Sequence, residues 1–157
     1  MEALSTDGRL AALIVPLRQM NLVVPQSLMA EVVMVPEVEE VVTTEPWLRG
    51  LIEWRGAMLP LVALESFCLP LVEDRPSRAR RVAVFHAVCG LQGLTHYAVD
   101  IQAIPHPLRL GPADLRELAS ERRCAIAAQE VQAAGVKAMI PDLDTLEQRI
   151  AQVMQRA

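Results

Sequence analysis

The sequence predicts an all-β fold, organised as a barrel assembly that is followed by one C-terminal helix. Roughly eight to ten short apolar runs are separated by glycine, proline and polar turn residues, as in barrels built from short strands. The long crossover helices of a parallel α/β sheet are missing from this pattern. The helix is expected from Pro141-Asp142 onward, where Asp144 and Glu147 have the spacing of a capping box. Five apolar residues share one face of it at helical spacing: Leu143, Leu146, Ile150, Val153 and Met154.

Each predicted strand is a run rich in branched apolar residues that ends at a turn or at a proline. In chain order the predicted strands cover 9–17, 22–25, 28–35, two runs within 45–69, 82–88, 95–104, 123–130 and 136–140. The Pro-His-Pro sequence at 105–107 is expected to end the strand before it. Residues 111–121 are expected to form one or two helical turns.

The stretch 45–69 carries the most specific pattern in the chain. It contains both tryptophans, and Trp54-Arg55-Gly56 lies between two apolar runs. Because glycine adopts positive φ at little steric cost, these residues are expected to turn a β-hairpin. Pro60 has no N–H to donate to a ladder, which predicts that the second run lies at a sheet edge or a bulge.

Composition favours one domain with an ordinary core. The chain has 157 residues, of which 52% are hydrophobic and 22% charged, which argues against disorder. The formal net charge of −4 argues against a nucleic-acid surface. No apolar run approaches the roughly 18 residues that span a bilayer, and the acidic N-terminus does not resemble a secretory signal, so a cytoplasmic location is expected.

Residues 9–157 are expected to form this single domain, preceded by a flexible segment over 1–8. The charged segment near 70–81 is expected to be a solvated loop or the joint between two subdomains. The three cysteines are far apart in sequence and lack metal-binding spacing. Three reduced, partly buried thiols are therefore expected, at Cys68, Cys89 and Cys124.

The search for catalytic chemistry is negative. The sequence has no nucleophile elbow, phosphate-binding loop, dinucleotide fingerprint or zinc-protease motif. His86, His96 and His106 recur every ten residues, but metal ligands normally show short paired spacings. His86 and Cys89, three residues apart on a predicted strand, point to opposite faces and so do not suggest a thiol–imidazole pair. No catalytic residue, cofactor or metal site is predicted.

Protein binding remains as a function, and Arg55 and Glu31 are its first candidates. Glu31 is the one charge inside an apolar strand, so it either lies on the exposed face or has a partner. Arg55 is either an ordinary exposed turn residue or a fixed arginine, held by Glu31, at a protein-binding surface. Arginine and tryptophan together, as at Arg55 and Trp54, are typical of interface anchors.

Three short motifs resemble the CheW-type coupling domain, the adaptor of bacterial chemosensory arrays. They are PWLRG at 46–50, WRG at 54–56 and LPLVAL at 59–64. In that family the corresponding pattern is a Pro-aromatic approach to glycine, an Asn-x-Arg-Gly turn and a Pro-Val-Val-Asp-Leu strand. A weaker resemblance continues to the last strand and closing helix, so that it covers nearly the whole chain.

Two positions depart from the family pattern and one agrees with it. Glu53 stands where the family usually has asparagine, and Ala63 where it usually has aspartate. Glu31 lies nineteen residues before Gly50, where the family often carries a glutamate that pairs with the turn arginine. The departures are compatible with a divergent member, such as one serving a type IV pilus (twitching) chemosensory system.

The resemblance implies two small SH3-like five-stranded β-barrels with a hydrophobic seam between them, and no enzymatic activity. It also implies two partners: the cytoplasmic tip of a methyl-accepting chemoreceptor, bound in the groove between the barrels, and the regulatory domain of a CheA-type histidine kinase. A generic SH3-like binding module outside chemosensing is the alternative. The residues expected at the protein-interaction site are Met29, Glu31, Glu53, Trp54, Arg55 and Gly56.

Overall fold

The computed structural model of the chain describes residues 8–35, 37–68, 80–91, 93–119 and 124–156. Within these ranges the chain forms eleven β-strands and one α-helix. The strands are β1 (Leu10–Pro16), β2 (Asn21–Pro25), β3 (Met29–Val35), β4 (Leu48–Trp54), β5 (Ala57–Val62), β6 (Arg80–His86), β7 (His96–Asp100), β8 (His106–Leu110), β9 (Leu115–Glu117), β10 (Ala127–Ala133) and β11 (Val136–Pro141). The helix α1 spans Leu143–Arg156, and short 3-10 turns cover Gln26–Leu28, Leu64–Phe67 and Pro112–Asp114.

The described strands form two sheets, as expected for an all-β fold. The six-stranded sheet has the order β8-β1-β2-β11-β10-β9, and the five-stranded sheet has the order β3-β6-β7-β5-β4. The chain enters the five-stranded sheet after β2 and returns to the six-stranded sheet at β8. The two subdomains are therefore intertwined, with the five-stranded sheet inserted between the first and last strands of the other.

Two details of the six-stranded sheet differ from the prediction. The Pro-His-Pro sequence at 105–107 does not simply stop a strand, because β8 begins at His106 and pairs with β1. β8 is an edge strand, where a proline such as Pro107 is tolerated because one side of the strand needs no N–H donors. The helical turns predicted at 111–121 are reduced to Pro112–Asp114, followed by the short strand β9.

The expected joint near 70–81 lies mostly outside the described residues, as do residues 1–7. The strands on either side of this segment, β5 and β6, both belong to the five-stranded sheet. The chain changes sheet instead between β2 and β3 and between β7 and β8.

The largest apolar cluster joins the two sheets and α1. It includes Leu22 of β2, Phe85 of β6, Tyr97 of β7 and Ile150 of α1, all fully buried. We call this cluster the inter-sheet core, and it corresponds to the predicted hydrophobic seam. Two smaller clusters lie within the sheets: Ala12, Ile14, Val23, Leu110, Val131, Ala133 and Ala138 in the six-stranded one, and Val35, Ile52, Leu59, Leu61, Val82, Val84 and Ala98 in the five-stranded one.

The start of α1 is capped by Asp142, not by the predicted pair of Asp144 and Glu147. Asp142 Oδ1 accepts from the Thr145 amide at 3.1 Å, and its Oδ2 accepts from the Thr145 hydroxyl at 2.8 Å. Glu147 is fully buried, because it lies on the same face of the helix as the apolar residues that enter the inter-sheet core. No helix in the described part of the chain is long and apolar enough to span a membrane.

The expectation of three reduced thiols is wrong for two of the cysteines. Cys68 and Cys124 form a disulfide, with their Cα atoms 4.5 Å apart, and Cys89 is free. The two cysteines are separated by 56 residues, so their proximity depends on how the sheets pack and has no local signal in the sequence.

Candidate functional site

Arg55 lies at the tip of the β4–β5 hairpin, as the sequence predicts. Trp54 pairs with Ala57, which leaves Arg55 and Gly56 as a two-residue turn with φ values of 48° and 79°. Positive φ at both positions is the signature of a type I′ turn, whose twist matches that of the strands. The Arg55 side chain is 69% exposed. The hairpin therefore presents a guanidinium to solvent from a well-defined backbone.

Glu31 connects the two edge strands of the five-stranded sheet. Its Oε1 accepts from Arg55 Nη2 at 2.9 Å and from Trp54 Nε1 at 3.1 Å. Glu31 lies on the edge strand β3, next to an irregularity in the pairing of β3 with β6, whereas Trp54 ends the other edge strand, β4. Such bulges re-aim a side chain. The predicted contact between Glu31 and Arg55 is thus present.

Trp54 lies between the guanidinium of Arg55 and the ring of His96. The Arg55 guanidinium carbon lies 4.9 Å from the Trp54 ring centroid, and the His96 ring of β7 lies 4.9 Å from it with the two ring planes tilted by 49°. His86 extends this row of rings, with its ring centroid 4.9 Å from that of His96 and the planes tilted by 52°. We call Glu31, Trp54, Arg55, His86 and His96 the docking patch.

The two histidines were not predicted to belong to this site. His86 and His96 face each other because β6 and β7 pair in a register that puts them opposite one another. The pKa of His96 is lowered by burial first, and then by the neighbouring His86 and Arg55. His96 is therefore biased towards its neutral form. The spacing of ten residues between His86 and His96 was the only signal available in the sequence. It fits two residues paired across adjacent antiparallel strands better than it fits a metal site.

The other three predicted site residues lie in two different environments. Glu53 and Gly56 lie beside Arg55 in a cavity of about 750 Å³. Met29 packs instead against the inter-sheet core. The cavity is lined by Val35, Glu37, Glu39, Leu51, Glu53, Arg55, Gly56 and Met58. Arg55 thus lines this acidic cavity and also contacts the Trp54 ring.

A segment of coil covers part of the outer edge of β4. Glu39 and Leu51 exchange both backbone hydrogen bonds, each at 2.8 Å. This close approach depends on Gly50, whose φ is 145° and where a Cβ atom would lie 2.7 Å from Val38 Cγ1. The edge of β4 near Leu51 is therefore already occupied, whereas the hairpin tip beyond it is not covered by this segment.

A second candidate surface is a groove of about 310 Å³ between α1 and the coil before β4. Its lining is mostly apolar: Val41, Val42, Thr43, Thr44, Glu45, Leu48, Leu51, Val153 and Met154. Val42 is fully exposed at its rim. The groove lies on a different part of the protein from Arg55 and shares only Leu51 with the acidic cavity.

Cys89 and His106, the other candidate groups of the sequence, lie outside the docking patch. Burial, followed by hydrogen bonds to Asp144 and Glu147, raises the pKa of Cys89 to about 12. Its thiol donates to Asp144 Oδ1 at 3.0 Å and does not pair with His86. His106 lies on β8 in the other sheet. Among the described residues, no group of three or more potential ligands is placed to hold a metal ion.

Comparison with known proteins agrees with this fold. The family model described as the CheW-like domain matches residues 11–147. The fold is similar to the crystal structure of the scaffolding protein TtCheW from Thermoanaerobacter tengcongensis, with a TM-score of 0.66 and 12% sequence identity. That likeness covers 85% of this chain and 88% of the other. A search of curated protein sequences found no significant match.

The structural likeness confirms the predicted pair of SH3-like subdomains, with six and five strands in the described part of the chain. The family model spans most of the 157 residues and includes Glu31, Arg55 and Glu147. The chain therefore belongs to the CheW-like domain family.

Proposed function

We propose that this chain is a non-enzymatic adaptor that couples a chemoreceptor to a CheA-type histidine kinase in a bacterial chemosensory system. Membership of the CheW-like family supports a chemotaxis adaptor role. The proposed partners are the cytoplasmic tip of a methyl-accepting receptor and the regulatory domain of the kinase. The adaptor works in the cytoplasm, next to the membrane that holds the receptor.

The observation that carries this proposal is the geometry at Arg55. Its guanidinium is exposed, yet it is oriented by Glu31 and by the Trp54 ring. A side chain that is oriented before binding loses less conformational entropy when a partner docks. Arginine and tryptophan are also the residues most enriched among interface anchors. The docking patch therefore has the features of a protein-binding site, and we assign it to the receptor.

Scaffolding requires no chemistry beyond two separate surfaces. A protein that binds receptor and kinase at once raises the effective concentration of each for the other. The docking patch and the apolar groove beside α1 are spatially separate, so both can be occupied together. We assign the first to the receptor and leave the groove as the available second surface.

The two departures from the family pattern differ in their expected effect on partners. Ala63 is only 2% exposed, so it contacts the interior of the protein. Glu53 is exposed and lies beside Arg55 in the acidic cavity. We therefore assign any change of receptor preference to Glu53. Replacing it with the family residue, as Glu53→Asn, should strengthen binding to receptors that standard family members recognise.

The test is a binding measurement with Arg55 replaced by a residue that keeps the turn. Asparagine tolerates the positive φ of position 55, so Arg55→Asn removes the guanidinium without straining the hairpin. Ala134 has the same φ of 48° in the turn between β10 and β11, away from the docking patch. Ala134→Asn is therefore the matched control for the effect of the substitution on a turn.

Purified protein is titrated calorimetrically with a receptor cytoplasmic fragment and, separately, with a kinase regulatory domain. We expect Arg55→Asn to weaken receptor binding at least tenfold, while Ala134→Asn binds like the wild type. Unchanged receptor affinity in Arg55→Asn would contradict the assignment of the docking patch. Binding of neither partner by the wild type would favour the alternative, a generic SH3-like module. The kinase that binds would identify the system served, for instance one that controls type IV pili.

A further inference from the structure

We propose that Cys68 and Cys124 form a reversible redox site that locks the two sheets together when it is oxidised. Cys68 follows β5 of the five-stranded sheet, from which it is separated by the 3-10 turn Leu64–Phe67. Cys124 precedes β10 of the six-stranded sheet. The disulfide is thus a covalent link between the two subdomains, in addition to the two places where the chain passes from one to the other.

On the Cys68 side, the neighbouring residue Phe67 contacts Trp47 and the helix α1. Phe67 stacks on Trp47, with ring centroids 4.9 Å apart, and the Arg149 guanidinium of α1 lies 5.4 Å from the Phe67 ring centroid. Arg149 also pairs with Glu45 at 3.7 Å, and Glu45 accepts from Trp47 Nε1 at 3.0 Å. The position of Cys68 is therefore coupled to the middle of α1 and to the start of β4.

On the Cys124 side, the disulfide is attached to the start of the same helix. Cys124 O accepts from the Ala127 amide at 3.1 Å, which closes the turn around Ile126. Ile126 is fully buried, and its carbonyl accepts from the amide of Asp142, the residue that caps α1. The disulfide therefore links two segments that contact α1, one at its beginning and one at its middle. Its presence restrains the position of the helix against the two sheets.

The chemical setting of this pair differs from that of the third cysteine. Cys68 and Cys124 each keep partial exposure while packing against the inter-sheet core, and the proposal requires that a small thiol or disulfide reach one of the two sulfurs. Cys89 hydrogen-bonds to Asp144, and its pKa is raised to about 12, so almost no thiolate forms there at neutral pH. Thiol–disulfide exchange is therefore directed to Cys68 and Cys124, and Cys89 serves as an internal reference.

The exchange reaction uses a small disulfide such as glutathione disulfide as the oxidant. The thiolate of one cysteine attacks it, forms a mixed disulfide and releases one glutathione; the thiolate of the other then attacks the protein sulfur of that mixed disulfide and releases the second. Two electrons pass from the cysteines to glutathione disulfide, and the two thiol protons end on the released glutathione molecules. Excess glutathione reverses both steps.

The test equilibrates the folded full-length protein with glutathione and glutathione disulfide over a range of ratios. Free thiols are then alkylated after acid quenching and denaturation, and counted by mass spectrometry. We expect one label, on Cys89, under oxidising conditions and three labels under reducing conditions.

We also expect reduction to lower Tm by roughly 10 °C, because a disulfide that closes a loop of this length restricts the unfolded chain. Asp142 amide exchange should be faster in the reduced form.

Three variants complete the test. Cys89→Ser should keep the redox-dependent shift in Tm, whereas Cys68→Ser and Cys124→Ser should each abolish it and melt like the reduced wild type. The proposal is overturned by three labels at every ratio, or by a disulfide that persists in the most reducing mixture. Equal Tm values for the oxidised and reduced protein would also overturn it, since the disulfide would then lock nothing.

Discussion

The carboxylate of Glu31 and the guanidinium of Arg55 meet at 2.9 Å and thereby connect the two edge strands of the five-stranded sheet. Both side chains are substantially exposed, 38% for Glu31 and 69% for Arg55. An exposed ion pair contributes only about 0.2–1 kcal/mol to folding. The pair therefore matters more for how the guanidinium is oriented than for whether the protein folds.

Reversing the charge at Arg55 should separate binding from stability. We expect Arg55→Glu to abolish receptor binding, because it places two carboxylates side by side, while Tm stays within a few degrees of the wild-type value. The double variant Glu31→Arg with Arg55→Glu should recover part of the affinity, since the pair is then restored in reverse. Calorimetric Kd values for the wild type, Arg55→Glu, Glu31→Arg and the double variant measure this coupling. Strictly additive losses would show that the contact plays no part in binding.

The histidines of the docking patch predict a pH dependence of stability. Because the folded state lowers the pKa of His96, protonation favours the unfolded state, where the pKa is about 6.5. The stability from His96 is fully present above this value and is lost as the pH falls through the lower folded pKa. His96→Phe keeps an aromatic ring against Trp54 and removes the titration.

Tm of the wild type should therefore fall relative to that of His96→Phe between pH 7.5 and 5. Comparing the two proteins cancels the contribution of other groups, such as Glu65, whose pKa is raised mainly by burial. His86→Gln should raise the pKa of His96, because it removes one of the groups that lower it. An NMR titration of His96 measures this directly. A pKa of His96 at or above 6.5 in the wild type would contradict the expected sign.

Replacement by alanine should lower the free energy of unfolding by different amounts at Gly50 and at Gly56. At Gly56 only the φ of 79° opposes a side chain, because no described atom lies within 4 Å of an added Cβ. Gly56→Ala should therefore destabilise the protein by about 1 kcal/mol. At Gly50 an added Cβ would collide with Val38 and with the carbonyl of Glu39, so Gly50→Ala should cost about 3 kcal/mol.

Urea unfolding at pH 7 measures both costs. Gly50→Ala should also break the hydrogen bonds between Glu39 and Leu51, so the amide of Glu39 should exchange faster with solvent. Gly56→Ala should leave that amide unchanged and serves as the matched control. Equal destabilisation by the two substitutions would mean that the coil over β4 moves aside without cost.

The features that the sequence predicted correctly are those with a local chemical cause. The Arg55-Gly56 turn follows from glycine's tolerance of positive φ, and the chain indeed turns there. A charge inside an apolar strand needs an exposed position or a partner, and Glu31 has both partial exposure and a contact with Arg55. The family resemblance added the identity of that partner, which the strand pattern alone could not supply.

The features that the sequence missed depend on contacts between distant segments. The expectation for Pro60 is a partial exception. β5 lies between β4 and β7, yet its pairing with β7 begins only at Leu61, and the β4–β5 register shifts opposite Leu61 and Val62, as expected for a proline at an edge or a bulge. The contact of the His96 ring with Trp54 joins segments that are far apart in sequence, as does the disulfide of Cys68 with Cys124. Such pairings are set by sheet order, which strand periodicity does not encode.

Glu147 is the clearest case, because its spacing from Asp144 suggested a capping box, whereas the structure buries its side chain. Its side chain is 0% exposed, and its two oxygens accept from the amides of Val88 and Cys89 at 2.9 and 3.0 Å and from the Tyr97 hydroxyl at 3.3 Å. This carboxylate therefore joins α1 to the loop between β6 and β7. Hydrogen bonds to a charged acceptor contribute roughly 1.5–3 kcal/mol each, more than those to a neutral one.

Three substitutions should rank by how many donors they leave without an acceptor. Tyr97→Phe removes one weak bond and should cost about 1 kcal/mol, whereas Glu147→Gln keeps one acceptor oxygen but loses the charge and should cost about 2 kcal/mol. Glu147→Leu leaves the amides of Val88 and Cys89 without this acceptor. It should cost about 3 kcal/mol or more, which is comparable to the cost of removing one partner of a buried ion pair. Urea unfolding measures the series. Asp144→Asn, in the first turn of the same helix, is the control. A Glu147→Leu variant as stable as the wild type would show that the carboxylate costs as much to bury as its hydrogen bonds return.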